Sequence, residues 1–210
     1  MNKDQSLKEY VYNSVLEEIF STELKPGDII SEKSLIEKYH CSKSPVREAL
    51  LTLVVEGVLS NIPRLGYEVV TITPQNIRDM IQFRKMLEMA YMKDNYQKLT
   101  ENNLQELRNI DKLCTQYRND IRMHWEYNML FHQTLMDFFG NDYASEALRR
   151  CLVSLKRAYA QAYWDKKNVD LSMDTRHHEL ILKSLENRDI ENACMYLELD
   201  LEDFGMATNR

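Results

Sequence analysis

Glycine and proline are rare in this chain and stand at its breaks, which constrains the fold more than any other feature. Five Gly and four Pro occur in 210 residues. Gly27, Gly57, Gly66, Gly140 and Gly205 fall where the amphipathic pattern lapses, and Pro26, Pro45, Pro63 and Pro74 lie in turns or at positions suited to a helix's first turn. Glycine costs a helix interior backbone entropy, and proline costs it a hydrogen bond. Their placement therefore leaves long uninterrupted helical stretches. A hydrophobic fraction of 44% with 29% charged residues is that of an ordinary globular chain and argues against disorder. No apolar run approaches the ~20 residues a membrane span needs, and the polar N-terminus lacks a signal region, so the expected location is cytoplasmic. Cys41, Cys114, Cys151 and Cys194 are spread singly, which reads as plain thiols rather than a zinc ribbon or disulfides.

The pattern changes once along the chain. Leu7, Tyr10, Val11, Val15, Ile19 and Phe20 repeat at helical spacing, and Lys25-Pro26-Gly27-Asp28 turns the chain. Ser31 can cap a short helix through Tyr39, and Ser42 or Ser44 can cap a second, with Pro45 in its first turn and Gly57 at its end. The β-prone runs Val58-Leu59-Ser60 and Tyr67 to Thr71 flank a turn-rich stretch that predicts a two-stranded hairpin. Three helices and a hairpin give the order of a winged helix-turn-helix. Thr73-Pro74 then marks a boundary, with Thr73 as a cap and Pro74 as a first-turn residue. Beyond it the pattern predicts about six helices and no strands, over 74–97, 100–118, 121–139, 142–166, 173–186 and 189–205, with Thr100, Asp142 and Asp189 as caps. The expected fold is mainly α: a winged helix-turn-helix DNA-binding domain over 1–73 and an all-helical bundle over 74–210.

Residues 24–66 resemble the GntR family of transcriptional regulators. The resemblance rests on Leu24-Lys25-Pro26-Gly27, Glu32, Ser42-Lys43-Ser44-Pro45-Val46-Arg47-Glu48-Ala49-Leu50, Glu56-Gly57 and Arg64-Leu65-Gly66. The remainder resembles the FadR-type (FCD) effector domain of that family. Its motifs match Arg84-Lys85-Met86-Leu87-Glu88, Asn128 to His132, Gly140-Asn141, His177-His178-Glu179-Leu180-Ile181 and Asp189 to Ala193. A count of six helices is that of the shorter VanR-like members. The resemblance implies a homodimeric repressor that binds double-stranded DNA at a pseudo-palindromic operator and senses a small organic acid.

The net charge of −6 does not favour nucleic acid. Residues 1–73 carry eight Lys and Arg against eleven Asp and Glu, and the remainder 19 against 22, so both parts are acidic. DNA binding must rest on a local basic surface. A recognition helix presents short and basic side chains at its N-terminal turn, and Ser42, Lys43, Ser44 and Arg47 fit that need. Arg47 can fork onto guanine, whereas Lys43, standing where the family has arginine, lacks the fork and suits phosphate. Arg64 and Gly66 belong to the expected wing, its glycine letting the hairpin tip approach the minor groove. Lys33, Lys38, Lys43, Arg47 and Arg64 are expected to share one face, with the first helix's acids pointing elsewhere. The plain alternative is that Arg47 and Glu48 are solvated helix charges.

In many FCD domains one Asp and three His hold a divalent metal beneath a carboxylate ligand. The matching positions are Asn128, His132, His178 and Asp200, with Asn in place of the family's Asp and Asp in place of its last His. The total charge of the set is unchanged, and two imidazoles with one carboxylate suit zinc, nickel or manganese. The alternative is a metal-free polar pocket. Arg84 is the expected cationic partner of an effector carboxylate, with Glu88 one turn on as its salt-bridge partner or a pocket wall; otherwise the pair merely staples one helix. His40, His124 and His177 read as surface or capping residues. The rival from another class is a helical metal-dependent enzyme using the His/Asp cluster, but no His-Glu-x-x-His or paired Glu-x-x-His motif supports it.

Overall fold

The computed structural model describes residues 6–163 and 175–207. Among these, 6–72 with 157–163 form one compact unit, and 73–156 with 175–207 form another.

The first unit opens with α1 (Leu7–Phe20), capped by Ser6, whose hydroxyl accepts from the Glu9 N–H while Glu9 reaches back to the Ser6 N–H. Val11, Val15 and Ile19 recur every fourth residue and are buried, as one helix face must be when it packs on a core. β1 (Ile29–Ile30) precedes α2 (Glu32–Tyr39), and α3 (Lys43–Val55) runs to Gly57, where a positive φ stops it. β2 (Leu59–Ile62) and β3 (Gly66–Val69) make the hairpin. β1 corrects the expected two-stranded wing: the sheet order is β1-β3-β2, with Ile29 opposite Glu68 and Ile30 opposite Tyr67. A two-residue strand between a turn and a helix cap shows no alternation, so the sequence gives no sign of it.

The core of this unit joins Val15, Leu35, Leu50, Leu53, Leu59 and Val69. Arg157 also lies in it, near the end of α7 (Asp142–Tyr163). Its guanidinium donates to the carbonyls of Gly57, Val58 and Val70 at 3.1, 3.3 and 3.1 Å. Burial lowers its pKa to about 10. The sequence offers no motif for this contact.

In the second unit α4 (Pro74–Asn95), α5 (Glu101–Gln116), α6 (Ile121–Phe138), α7, α8 (His178–Glu186) and α9 (Ile190–Ala207) are six helices with no strand among the described residues. Thr73, Thr100 and Asp189 act as the expected caps. For α7 the expectation of Asp142 is corrected: Asn141 accepts the Ala144 N–H, and Asp142 lies inside the helix. α8 starts at His178 rather than 173, since residues 175–177 form a turn; positions 164–166 and 173–174 of the expected helices lie outside the described residues. Met92, Leu107, Phe131, Leu148, Ile181 and Leu197 form the bundle's core.

Candidate functional sites: a recognition helix and a buried polar cluster

Ser42, Lys43, Ser44 and Arg47 are all exposed at the start of α3. Ser42 occupies the cap position without a side-chain cap bond, so its hydroxyl is not committed to the helix. Ser44 donates to Glu48 at 2.7 Å. Lys43 Nζ and Arg47 Nε lie 4.0 and 3.8 Å from the carboxylate of Glu32, the first residue of α2. The Tyr67 hydroxyl of β3 donates to the same carboxylate at 3.2 Å, and burial followed by the Glu32 charge raises the Tyr67 pKa. Glu32 thus gathers the recognition helix and the sheet around one negative charge, a role its place in the motif does not reveal.

One part of the expected basic face needs correcting. Glu18 of α1 does not point elsewhere, because Lys38 pairs with it at 2.7 Å. Arg64 stands exposed at the hairpin tip with φ +70°. Gly66 has a structural reason of its own: at φ +132° a Cβ there would stand 2.3 Å from the carbonyl oxygen of Ile30. The close passage of β1 therefore demands glycine whatever the wing approaches.

The other site is fully enclosed. Arg84 and Glu88 on α4, Asn128 and His132 on α6, His178 on α8 and Asp200 on α9 are each no more than 3% exposed. Asn128 and His132 share a helix face because they are four residues apart. Arg84 Nε donates to Glu88 Oε1 at 2.6 Å, and His132 Nδ1 lies 2.7 Å from Glu88 Oε2. Burial opposes the Glu88 charge, yet Arg84 and then His132 outweigh it and lower the pKa to about 2. An ionised carboxylate can only accept, so His132 Nδ1 carries hydrogen and Nε2 faces Asp200 Oδ2 at 3.2 Å. His178 repeats the arrangement from another helix. Its Nδ1 is 3.1 Å from Asp111 Oδ1, and its Nε2 is 3.7 Å from Asp200 Oδ2. His132 itself is pushed above its ordinary pKa, burial and Arg84 opposing the charge and Glu88 and Asp200 favouring it.

Three buried atoms of this cluster lack hydrogen-bond partners among the described residues: Arg84 Nη2, His178 Nε2 and Asp200 Oδ1. Such orphans are costly unless something else satisfies them. The ligand atoms of His132, His178 and Asp200 lie within 4.8 Å of one another. In a tetrahedral site with bonds of ~2.0–2.1 Å, neighbouring ligand atoms stand about 3.3 Å apart, so the spacing fits a divalent ion. Carboxylates on both Nδ1 atoms are the usual means of turning Nε2 toward a metal. The residues therefore fit the group the resemblance implies.

Sequence reasoning missed the parts of this cluster that carry no motif. Asp111 on α5 belongs to no motif, and nothing in the sequence marks the double duty of Glu88 toward Arg84 and His132. The expectation for His124 is corrected. It is buried, with Nδ1 3.0 Å from the Cys114 carbonyl oxygen, and burial lowers its pKa. His40, by contrast, is exposed at the left-handed C-cap of α2, and His177 precedes α8 at the cap position.

Residues 7–69 match the family described as bacterial regulatory proteins, gntR family, and residues 79–202 match the FCD domain. An uncharacterized HTH-type transcriptional regulator of Bacillus subtilis, YdhC, is 28% identical over 65% of this chain and 62% of its own length. A regulator from Streptomyces ambofaciens is 29% identical, the match spanning 56% of it, so these two relatives are covered over only about three fifths of their length. The gluconate operon transcriptional repressor of Bacillus licheniformis is 24% identical over 88% of this chain and 78% of its own. Among solved structures, Escherichia coli McbR/YncC superposes with TM-score 0.79 at 24% identity, covering 98% of both chains. A GntR regulator from Rhodococcus sp. RHA1 does so with TM-score 0.82 at 18% identity, again covering 98% of each. No described helix is long and apolar enough to cross a membrane.

Proposed function

The chain belongs to the GntR family of bacterial regulatory proteins and carries an FCD domain, and from that premise we propose that it is a homodimeric repressor whose hold on a pseudo-palindromic operator is set by a small organic acid. Arg47 reads guanine, Lys43 holds phosphate, Ser42 and Ser44 bond phosphate or base edges, Arg64 is the third basic contact, and Gly66 lets the hairpin tip approach the minor groove. One recognition helix in an acidic unit binds weakly, so two half-sites are needed. Residues 72–75 join a DNA-binding domain over 1–73 to an effector domain over 74–210, and six helices favour a VanR-like member. The gluconate operon transcriptional repressor among the relatives is in keeping with repression.

The observation that carries the sensor reading is the convergence of two imidazole Nε2 atoms on one buried carboxylate, with both Nδ1 atoms held by other carboxylates. His132, His178 and Asp200 would hold a divalent zinc, nickel or manganese ion, with Asn128 completing the set directly or through water. When bound, the ion supplies a Lewis-acid anchor for the effector's carboxylate and ties three helices together. Arg84, whose Nη2 has no hydrogen-bond partner among the described residues, supplies the cationic contact from the same cluster.

Two measurements test the reading. A gel shift on the DNA upstream of the chain's own gene should give a specific complex; none would remove the repressor assignment. Metal analysis and thermal melting with and without chelator test the sensor, since a ligand bound only by the folded state stabilises it by ~2.7 kcal/mol at a hundredfold excess over its Kd. In protein loaded with manganese or nickel, His132→Ala and Asp200→Ala should abolish the chelator-sensitive shift and Asn128→Ala only reduce it. Metal-free protein indifferent to chelator and added ion leaves the metal-free pocket.

A further inference from the structure

His178 belongs to two donor sets. Besides His132 and Asp200, a carboxylate oxygen of Asp111, the Cys114 sulfur and a nitrogen of His178 lie within 4.8 Å of one another. Asp111 and Cys114 are three residues apart on α5, so both project toward the start of α8. The separation of 3.1 Å between Asp111 Oδ1 and His178 Nδ1 is close to the about 3.3 Å between ligands of a tetrahedral ion. Cys114 and His178 are fully buried, while the Asp111 side chain keeps 20% exposure and so opens the set to solvent.

His124 Nδ1 lies against the carbonyl of Cys114 at 3.0 Å. A carbonyl only accepts, so Nδ1 carries the hydrogen and Nε2 is left with a bare lone pair. That Nε2 is buried and has no hydrogen-bond partner among the described residues. The buried thiol, carboxylate and imidazole of Cys114, Asp111 and His178, mutually within 4.8 Å, are a donor arrangement for a thiophilic ion.

We propose that Asp111, Cys114 and His178 form a second metal site, thiolate-containing and selective for zinc-like ions, with water from the exposed side of Asp111 completing the shell. On binding, the Cys114 S–H bond breaks, its proton leaves to solvent, and a metal–sulfur bond forms without any change of oxidation state. His178 binds through Nδ1 in this site and through Nε2 in the site with His132 and Asp200. A neutral imidazole offers one lone pair, so the two sites exclude each other. Ion chemistry then selects between them: harder ions favour the His132–Asp200 side and thiophilic ions the Cys114 side.

Cobalt(II) added to metal-free full-length protein provides the test. The site requires a sulfur-to-cobalt charge-transfer band in the near ultraviolet, absent in Cys114→Ser and Cys114→Ala and retained in His132→Ala. Zinc X-ray absorption on the unaltered protein needs no variant and should show one sulfur at ~2.3 Å. Cobalt bound without the band, no cobalt bound, a band that survives loss of Cys114, or a zinc shell of nitrogen and oxygen alone each overturns the proposal. A band that disappears in His132→Ala as well also overturns it, because the thiolate would then belong to the first set. Failure of the His132–Asp200 site alone leaves the sulfur band in place, so the two readings fail separately.

Discussion

The start of α3 and the cluster between α4, α6, α8 and α9 hold charges in opposite ways. Lys43 and Arg47 are 69% and 61% exposed, and their shared partner Glu32 stands 3.8–4.0 Å away. Arg84 and Glu88 are 1% and 3% exposed and meet at 2.6 Å. Solvated pairs at long distance contribute little and separate easily, whereas a buried pair leaves an uncompensated charge when one partner is lost. The first arrangement suits side chains that must leave each other to meet phosphate. The second suits a preformed cavity that must keep its shape until an ion or anion enters.

The largest effect should therefore come from the enclosed pair. Arg84→Ala should destabilise the protein by ~3–5 kcal/mol in chemical denaturation, because Glu88 would remain buried with only His132 to offset its charge. A loss below ~1 kcal/mol would mean that water or a shifted His132 compensates, and the contrast between the sites would weaken.

Gly66→Ala comes next. It places a Cβ against the Ile30 carbonyl in a backbone region costing on the order of 1–3 kcal/mol for other residues. Stability should fall with DNA affinity. A variant that melts normally but no longer binds DNA would return Gly66 to the wing-tip role the sequence suggests.

These cases also show why legibility differed along the chain. The recognition helix is a local object: cap, first-turn proline and basic residues follow one another from Ser42 to Arg47, so a contiguous motif reveals it. Thr73, Thr100 and Asp189 are local caps and mark their helices in the same way, whereas the cap of α7 is Asn141 rather than Asp142 and α8 starts only at His178. The cluster itself is not local. Its members span positions 84 to 200, and only their match to family positions brought Asn128, His132, His178 and Asp200 together. Asp111 and the paired role of Glu88 stayed hidden because a carboxylate that orients an imidazole can come from any packed helix. Strand β1 stayed hidden because two residues carry no period.

Arg47→Ala should weaken binding to the specific operator by ~1–3 kcal/mol and relax preference at one base pair. Lys43→Ala should weaken all sequences alike and lower the salt slope by about one unit. Titrations on specific and scrambled DNA at several salt concentrations separate the two. Equal behaviour of both variants would contradict the division into a base-reading arginine and a phosphate-holding lysine.

The smallest expected effect is the most discriminating for the surface site. Glu32→Gln removes the negative charge beside Lys43 and Arg47 but keeps an oxygen for the Tyr67 hydroxyl. Because exposed pairs contribute only ~0–1 kcal/mol, stability should hardly move. If Glu32 only neutralises the two cations, its removal should raise affinity for specific and scrambled DNA alike, by less than about tenfold. If instead Glu32 holds Arg47 in position for a base, specific affinity should fall while scrambled DNA binds as well or better. The long separations and the exposure of both cations favour neutralisation, so the expected result is a uniform rise. A fall confined to the specific operator would show that even this loose contact does positioning, and the distinction between releasable and fixed charges would then rest on the buried cluster alone.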